Sequence, residues 1–351
     1  MPTLQASELK QFAAAIFTAS GTASAEAEIV ADSLVAANLV GHDSHGVMRI
    51  PEYVAWVEEG AVNLSSKPHI ERSTGSFAVL DGDWGWGQVV GRRAVNLAAE
   101  SASSIGVATI FCRNSCHIGR AGEYPEMLAR RGLVSVMFLN THGAGRLVAP
   151  FGGIERRLSA NPICVGVPCG DQEPIVVDLS TCAIAEGKLR NMRTAGIPVP
   201  PGCIVDANGS ESINAADFYG PPPGALLPFG GHKGFALGLA ADILAGALSG
   251  AGCSRPEAKR IGNSFMLVAI DVATVRDMGD FTSDVLELTK FVKSSRLAEG
   301  FSEIMVPGEP EARLREKRRR DGIVVHEAIW NSVIDVANRY GVKFFGDKQN
   351  V

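Results

Sequence analysis

Six short apolar runs, each closed off by Gly, Pro, Asn or Asp, occupy the middle of this chain: Phe77–Leu80, Val107–Phe111, Leu133–Phe138, Ile163–Val167, Ile175–Asp178 and Phe265–Ile270. Runs this short, rich in Val, Ile and Phe, predict strands rather than helices. Helical patterns near 88–104, 121–131, 183–190 and 233–249 fall between some of them. Residues 1 to about 60, and the chain from about Thr282 onward, read as helices. The order predicts an α/β (α+β) fold in which helices from both chain ends pack as one unit around an inserted sheet domain. The expected division is 1–73 with 283–351 for the helical domain and 74–282 for the sheet domain. The Pro- and Gly-crowded stretch from Gly196 to Gly231 reads as one long ordered loop.

A dinucleotide fingerprint is the obvious motif to seek in such a chain. Gly85-Trp86-Gly87-Gln88-Val89-Val90-Gly91 comes near, but its third glycine lies one residue too far along. No strand ending in an acidic residue follows at the required distance either. The segment therefore reads as a tight turn into a helix, and a standard Rossmann fold is not supported.

Composition narrows the partners. A formal net charge of −5 argues against nucleic acid, which calls for a basic face. No stretch approaches about 18 uninterrupted apolar residues, and the first residues lack a basic segment followed by an apolar one, so neither a membrane span nor a signal peptide is expected. The longest apolar candidate, Phe235–Leu248, carries Asp242 and reads as a buried, closely packed helix. The seven cysteines, an odd number scattered from 112 to 253, do not look like a disulfide framework, and a reducing cytoplasm is expected. Cys112, Cys116 and His117 have no matching Cys or His pair at zinc spacing, so no metal is expected.

Two of the seven histidines sit in polar clusters bounded by glycine: Gly41-His42-Asp43-Ser44-His45-Gly46 and Asn114-Ser115-Cys116-His117-Ile118-Gly119. Imidazole is the commonest protein acid or base near neutral pH, and flanking glycines let the backbone bend tightly around it. The first cluster closes an amphipathic helix from about Ser24 to Val40, with Gly41 as its C-cap. Beyond it Arg49, Tyr53 and Trp56 share one face of the next helix, so Ser44, His45, Arg49 and Tyr53 converge on a small volume. Recognition of a small acid fits that set, because a guanidinium grips a carboxylate through two parallel hydrogen bonds, with hydroxyl donors beside it. The plainer reading is a helix cap and a surface ion pair. His117 follows a strand and precedes a helix, where α/β enzymes place reacting groups; alone it would equally suit a satisfied core histidine.

Weaker signals lie further on. Gly230-Gly231-His232-Lys233-Gly234 opens a helix and could hold an anion, or serve only as loop punctuation. Asp178-Leu179-Ser180-Thr181, followed by Gly187-Lys188, offers donors beside a carboxylate that could orient an imidazole or a ribose, or cap a helix. The basic run Arg313–Arg320 reads as a solvated face. The turn before it, Pro307-Gly308-Glu309-Pro310, is short, rigid and polar.

Taken in order, the Gly41–Gly46 cluster with Arg49 and Tyr53, Ser115–Gly119, Pro150-Phe151-Gly152-Gly153 with Asn161-Pro162, Val177–Ser180, His232–Leu237 and Pro307–Glu309 resemble the malate/L-lactate dehydrogenase family, which includes ureidoglycolate and sulfolactate dehydrogenases. Ala36-Ala37-Asn38-Leu39 and Gly196–Cys203 resemble its hydroxycarboxylate dehydrogenase B type most. The resemblance implies a non-Rossmann nicotinamide-binding fold with a largely antiparallel mixed sheet flanked by helices. It also implies a homodimer with the site near the subunit interface. It further implies an oxidoreductase moving a hydride between the nicotinamide and a lactate-, malate- or phenyllactate-like 2-hydroxy or 2-oxo acid. NAD is expected as cofactor, with NADP left open.

Carried over by position, the resemblance makes His117 the general base and places His45 beside the nicotinamide, both as catalytic residues. Ser44, Arg49 and Tyr53 fall on the substrate side. Gly119, Arg120, Asp178, Leu179, Ser180, Thr181, Lys188, His232, Lys233, Pro307, Gly308, Glu309 and Pro310 join His45 on the cofactor side. The stretch Asn140–Arg146 departs from several members: it has no lysine to align with one that some relatives place in the site. Three competing readings stay open at this point: a reductase of cyclic imino acids such as piperideine- or pyrroline-2-carboxylate, a non-catalytic binding protein on the same scaffold, and a metal-dependent lyase.

Overall fold

A computed structural model describes residues 1–344; residues 345–351, included in the expected helical domain, lie outside the described residues. The chain begins with β1 (Thr3–Leu4), α1 (Ala6–Ala19) and α2 (Ser24–Leu39), two 3-10 turns (Asp43–His45 and Val47–Arg49) and α3 (Ile50–Glu58). It continues with β2 (His69–Ser73), β3 (Phe77–Asp81), α4 (Gly87–Ile105), β4 (Val107–Ser115), α5 (Glu123–Ala129), β5 (Leu133–Asn140), β6 (Ile163–Val167) and β7 (Ile175–Leu179). Next come α6 (Glu186–Ala195), β8 (Ile204–Val205), β9 (Glu211–Ser212), α7 (Ala215–Tyr219), β10 (Ala225–Leu226) and α8 (His232–Asp242), which runs into a π-helical turn (Ile243–Ala247). The remainder is β11 (Asn263–Asp271), α9 (Val272–Val275), α10 (Met278–Lys293), α11 (Glu309–Asp321), β12 (Ile323–Val324) and α12 (Glu327–Arg339).

Seven strands form the central sheet in the order β2-β3-β4-β11-β5-β6-β7. Only β3 and β4 run parallel, joined across α4; every other neighbour is antiparallel. All six expected runs are strands of this sheet. In β5 the alternation Leu133, Ser135, Met137, Leu139 points inward, and the sheet core also takes Ile110, Cys112, Phe265 and Leu267. Each such large side chain, fully buried, contributes about 1.5–3 kcal/mol.

The chain ends meet in a second core. Leu9, Ile16 and Phe17 of α1, Val30 and Leu34 of α2, and Ile50 and Val54 of α3 pack with Ile323, Val325, Val333 and Val336, while β1 pairs with β12. Trp86 and Cys116 belong to this same cluster, so the terminal core reaches the sheet beside His117.

Three elements depart from the sequence reading. The stretch Gly196–Gly231 is no single loop: β8, β9 and β10 form a three-stranded sheet over Leu189, Val199, Phe218 and Leu226. Two-residue strands leave no alternation to detect. Strand β2 reads His-Ile-Glu-Arg-Ser with every residue exposed, a sheet edge without an apolar run, yet it pairs with β3. It lies before the expected boundary at residue 74, and α10 crosses the one expected at 282.

Candidate active site

The turn that carries His45 is tied down by its neighbours. α2 ends at Gly41 in the left-handed region (φ 84°), and Asn38 then spends its side chain on the turn, donating to Asp43 Oδ1 (2.6 Å) and accepting from the Val47 amide (2.8 Å). A Cβ at Gly46 would fall 2.3 Å from Asn38, so only glycine lets the turn lie this close. From α11, Arg318 grips Asp43 with two bonds (2.7 and 3.1 Å) and also donates to the Asn38 carbonyl. The basic run is therefore more than a solvated face: Arg318 anchors the His45 turn, and Arg315 binds Glu126 (2.5 Å).

His117 is delivered by the end of β4. The Cys116 amide donates to the Gly85 carbonyl (3.1 Å), the Ile118 amide to Asn263 Oδ1 (2.9 Å), and Gly87 sits so near the His117 carbonyl that a Cβ would come within 2.3 Å. The Gly85–Gly91 segment thus serves as a seat for His117.

The two imidazoles stack, with ring centroids 5.4 Å apart and planes at 18°. His117 Nδ1 is hydrogen-bonded with the Tyr53 hydroxyl (2.6 Å) and lies 3.3 Å from the Gly119 amide, which leaves Nε2 as the ring nitrogen free to meet a ligand. His45 Nδ1 is buried without a partner. Burial holds both rings neutral. His45 is pushed down to about 4, with Arg49 adding to the effect and Asp178 opposing it. His117 lies well below its ordinary value through burial, His45 and Arg49. Arg49 therefore acts on both rings, and His117, far along the chain, is stacked on the ring of the His45 turn that Arg49 follows.

Some assignments need correcting. Tyr53 is fully buried between Trp56 and Trp86, and its hydroxyl is taken up by His117 and by Gln88 (3.0 Å). It therefore works through His117 instead of offering a free donor to a carboxylate. The Arg49 side chain donates to the Ser44 carbonyl (2.7 Å) and to Glu52 (2.5 Å), so a ligand carboxylate has to compete with Glu52.

On the His42 side of the His45 turn opens a cavity of about 360 Å³ whose lining includes His42, Arg120, Asp178, Leu179, Glu311 and the Pro307, Gly308 and Pro310 turn; neither imidazole nor Arg49 lines it. Asp178 Oδ2 accepts from the Gly122 amide (2.9 Å) and lies 3.9 Å from His42 Nδ1. Arg120, almost fully buried, pairs with Glu126 (2.5 Å), while its Nε has no partner. The cavity does not take in every residue expected on the cofactor side. Glu309 binds Lys293 (2.5 Å) and the Val306 amide, Thr181 bonds the Ala160 carbonyl (3.1 Å), and Ser180 turns to Cys182. Gly119 lies beneath His117 instead of in the cavity wall. His232 and Lys233 open α8, where His232 rests against Phe151 (5.9 Å), and Lys188 rides on α6, whose Gly187 abuts Ser44. These side chains do not line the cavity.

Gln88, His42, Asn263 and Arg318 escaped the sequence reading. Gln88 lies within the near-fingerprint, His42 within the first histidine cluster and Arg318 within the basic run, each without a feature that sets it apart from its neighbours; Asn263 carries no local signal. Among the described residues no group of three His, Cys, Asp or Glu side chains is arranged to hold a metal, no cysteine is paired, and no helix is long and apolar enough to cross a membrane.

The model of the malate/L-lactate dehydrogenase family matches residues 4–334. Hydroxycarboxylate dehydrogenase B of Escherichia coli O157:H7 is 37% identical over 341 residues, covering 96% of this chain and 94% of that protein. A solved structure of a putative malate/lactate dehydrogenase from E. coli superposes with a TM-score of 0.92 at 36% identity, over 98% of this chain and 96% of its own. That of Δ1-piperideine-2-carboxylate reductase from Pseudomonas syringae pv. tomato gives 0.85 at 29%, over 96% and 100%.

Proposed function

The chain belongs to the malate/L-lactate dehydrogenase family, and from that premise we propose that it is an NAD-linked oxidoreductase of small 2-hydroxy acids, with His117 exchanging the substrate proton. The observation that carries the assignment of roles is the stack of two neutral imidazoles whose charge is opposed by Arg49.

The residues present fit a nicotinamide dinucleotide. Arg120 Nε, buried and unpartnered, provides a donor for a phosphate oxygen, and Asp178 supplies an acceptor for hydroxyls. A bound nicotinamide would supply the hydride acceptor for the C2 hydrogen in the oxidising direction. The chain's own residues do the rest. Arg49 turns from Glu52 toward the substrate carboxylate, with Ser44 beside it. His117 takes the hydroxyl proton as the C2–O bond becomes a carbonyl, and returns it in reduction. His45, stacked on His117 and uncharged, keeps a second positive charge away from the proton-carrying ring.

The seven unpaired cysteines suit a reducing cytoplasm. A homodimer accounts for α10, which buries none of its residues against the other described residues and leaves Phe291 76% exposed, with Phe301, ten positions further on, at 70%. The test of the whole reading is a screen of lactate, malate, sulfolactate and phenyllactate with NAD and NADP, with pyrroline- and piperideine-2-carboxylate run in the reducing direction. Turnover of hydroxy acids supports it; turnover of cyclic imino acids alone moves the activity to C=N reduction; no turnover of either returns the chain to a binding role.

A further inference from the structure

Cys164, in β6, is fully buried in the sheet core and stands directly opposite Asp178 of β7 in the antiparallel ladder. Directly opposed residues point to the same face, so the thiol lies beside the carboxylate. Its Sγ donates to Asp178 Oδ1 (3.4 Å), and the other oxygen, Oδ2, accepts from the Gly122 amide (2.9 Å). Glycine lets that amide come so near: a Cβ at 122 would fall 2.6 Å from Oδ2. Burial and the neighbouring carboxylate hold the thiol well above its ordinary range, so it stays protonated, as a donor must. Asp178 thereby spends two of its about four acceptor positions on the protein and keeps the rest for the cavity it lines.

Two groups on the cavity side pull the other way. Arg120, almost wholly buried, feels the Asp178 charge and has an unpartnered Nε, and His42 Nδ1 stands 3.9 Å from Oδ2. A carboxylate free to turn would close onto them, joining the cavity's acceptor to its donors and leaving neither for a ligand. We propose that Cys164 is a positioning residue that, with the Gly122 amide, holds the Asp178 carboxylate back from Arg120 and His42 and so keeps both sides available to a dinucleotide. The proposal rests on the reading that Asp178 serves the cofactor, and it adds a side chain that does not itself line the cavity. A thiol is suited to this place. It packs as a small apolar group in the core, yet offers one weak donor that orients the carboxylate without neutralising it. No bond is made or broken, and no proton moves.

Threonine and valine have the same shape and both suit a strand, but only threonine carries a donor. Titrated with NADH and followed by fluorescence, Cys164→Val should bind about five-fold or more weakly than wild type, and Cys164→Thr within about two-fold of it. Equal affinities in the two variants would mean that the position only fills space and would overturn the proposal. Where turnover is found, Cys164→Val should raise the KM for the dinucleotide and leave kcat within about two-fold, because His117 is untouched. The bond itself is read without any ligand from the infrared S–H stretch, the Cys164 band being identified by its loss in Cys164→Thr. Wild type should show that band at lower frequency than a thiol without an acceptor, and Asp178→Ala should move it up. A band that Asp178→Ala leaves in place would overturn the proposal, even if Cys164→Val failed to fold. A wild type that binds no NADH would overturn the cofactor reading, and with it the role given to Cys164, while the S–H band still reported the thiol bonded to Asp178.

Discussion

Arg318 and Asp43, 275 positions apart in sequence, form a forked ion pair, and the same guanidinium donates to the last turn of α2 at Asn38. The pair closes the turn that holds His45 against a helix whose other end lines the Arg120–Asp178 cavity. Arg318→Ala is expected to cost about 1–2 kcal/mol of stability and to lower kcat well below wild type. Thermal denaturation and steady-state kinetics check this. A variant that melts earlier but turns over normally would show the pair to be structural only.

Arg49→Lys keeps the charge and loses the planar fork. Because Arg49 already holds Glu52 and the Ser44 carbonyl, the shorter reach of an ammonium should favour those local partners over a ligand. The expected result is a KM for the hydroxy acid raised about ten-fold or more, with cofactor affinity unchanged. An unaltered KM would take Arg49 out of the carboxylate site.

Gly308 caps α11 at the cavity wall with φ 94°, and a Cβ there would lie 3.0 Å from the Val176 amide and 3.2 Å from the Pro174 carbonyl. Gly308→Ala must therefore strain the turn or push it from β7, at a cost of about 1–2 kcal/mol. Titration of the ligand-free protein with NADH, followed by fluorescence, should show weaker binding, whereas Ala at the open Gly152 should leave it unchanged. Equal affinity in both variants would separate the turn from the dinucleotide.

His45 and His142 are both held down to about 4 by burial, His45 with help from Arg49, and His142 with help from Arg255 and Arg260. The unfolded chain, with histidines near 6.5, binds those protons more readily. Stability should thus be full above about pH 6.5 and fall steadily toward pH 4, by a few kcal/mol in all. Replacing His142 with Gln should flatten part of that slope in urea denaturation midpoints. A midpoint independent of pH between 6.5 and 4.5 would mean that both rings are protonated in the folded protein.

The sheet was legible because its strands are apolar runs at a sheet's length, and the imidazole clusters because glycine frames them. Strand β2 was not, since an exposed edge has no apolar pattern to show. Nor were β8 to β10, each too short to alternate. The helical face shared with Arg49 points to Tyr53 as a hydroxyl donor beside a bound carboxylate; only the packing of Trp56 and Trp86 shows its hydroxyl to be buried and already engaged. Arg315 and Arg318 looked like their solvated neighbours because a charge run does not reveal which members find carboxylates from distant segments. Gln88 and Asn263 act through hydrogen bonds across the fold, for which spacing along the chain carries no record.

The most direct test of the central claim is the oxidation of a 2-hydroxy acid by His117→Asn, with NADH affinity measured on the same preparation. Loss of the proton acceptor should lower kcat by about 10²–10⁴ while NADH binds as in wild type. Wild-type turnover by that variant would contradict the account and transfer the proton to another group.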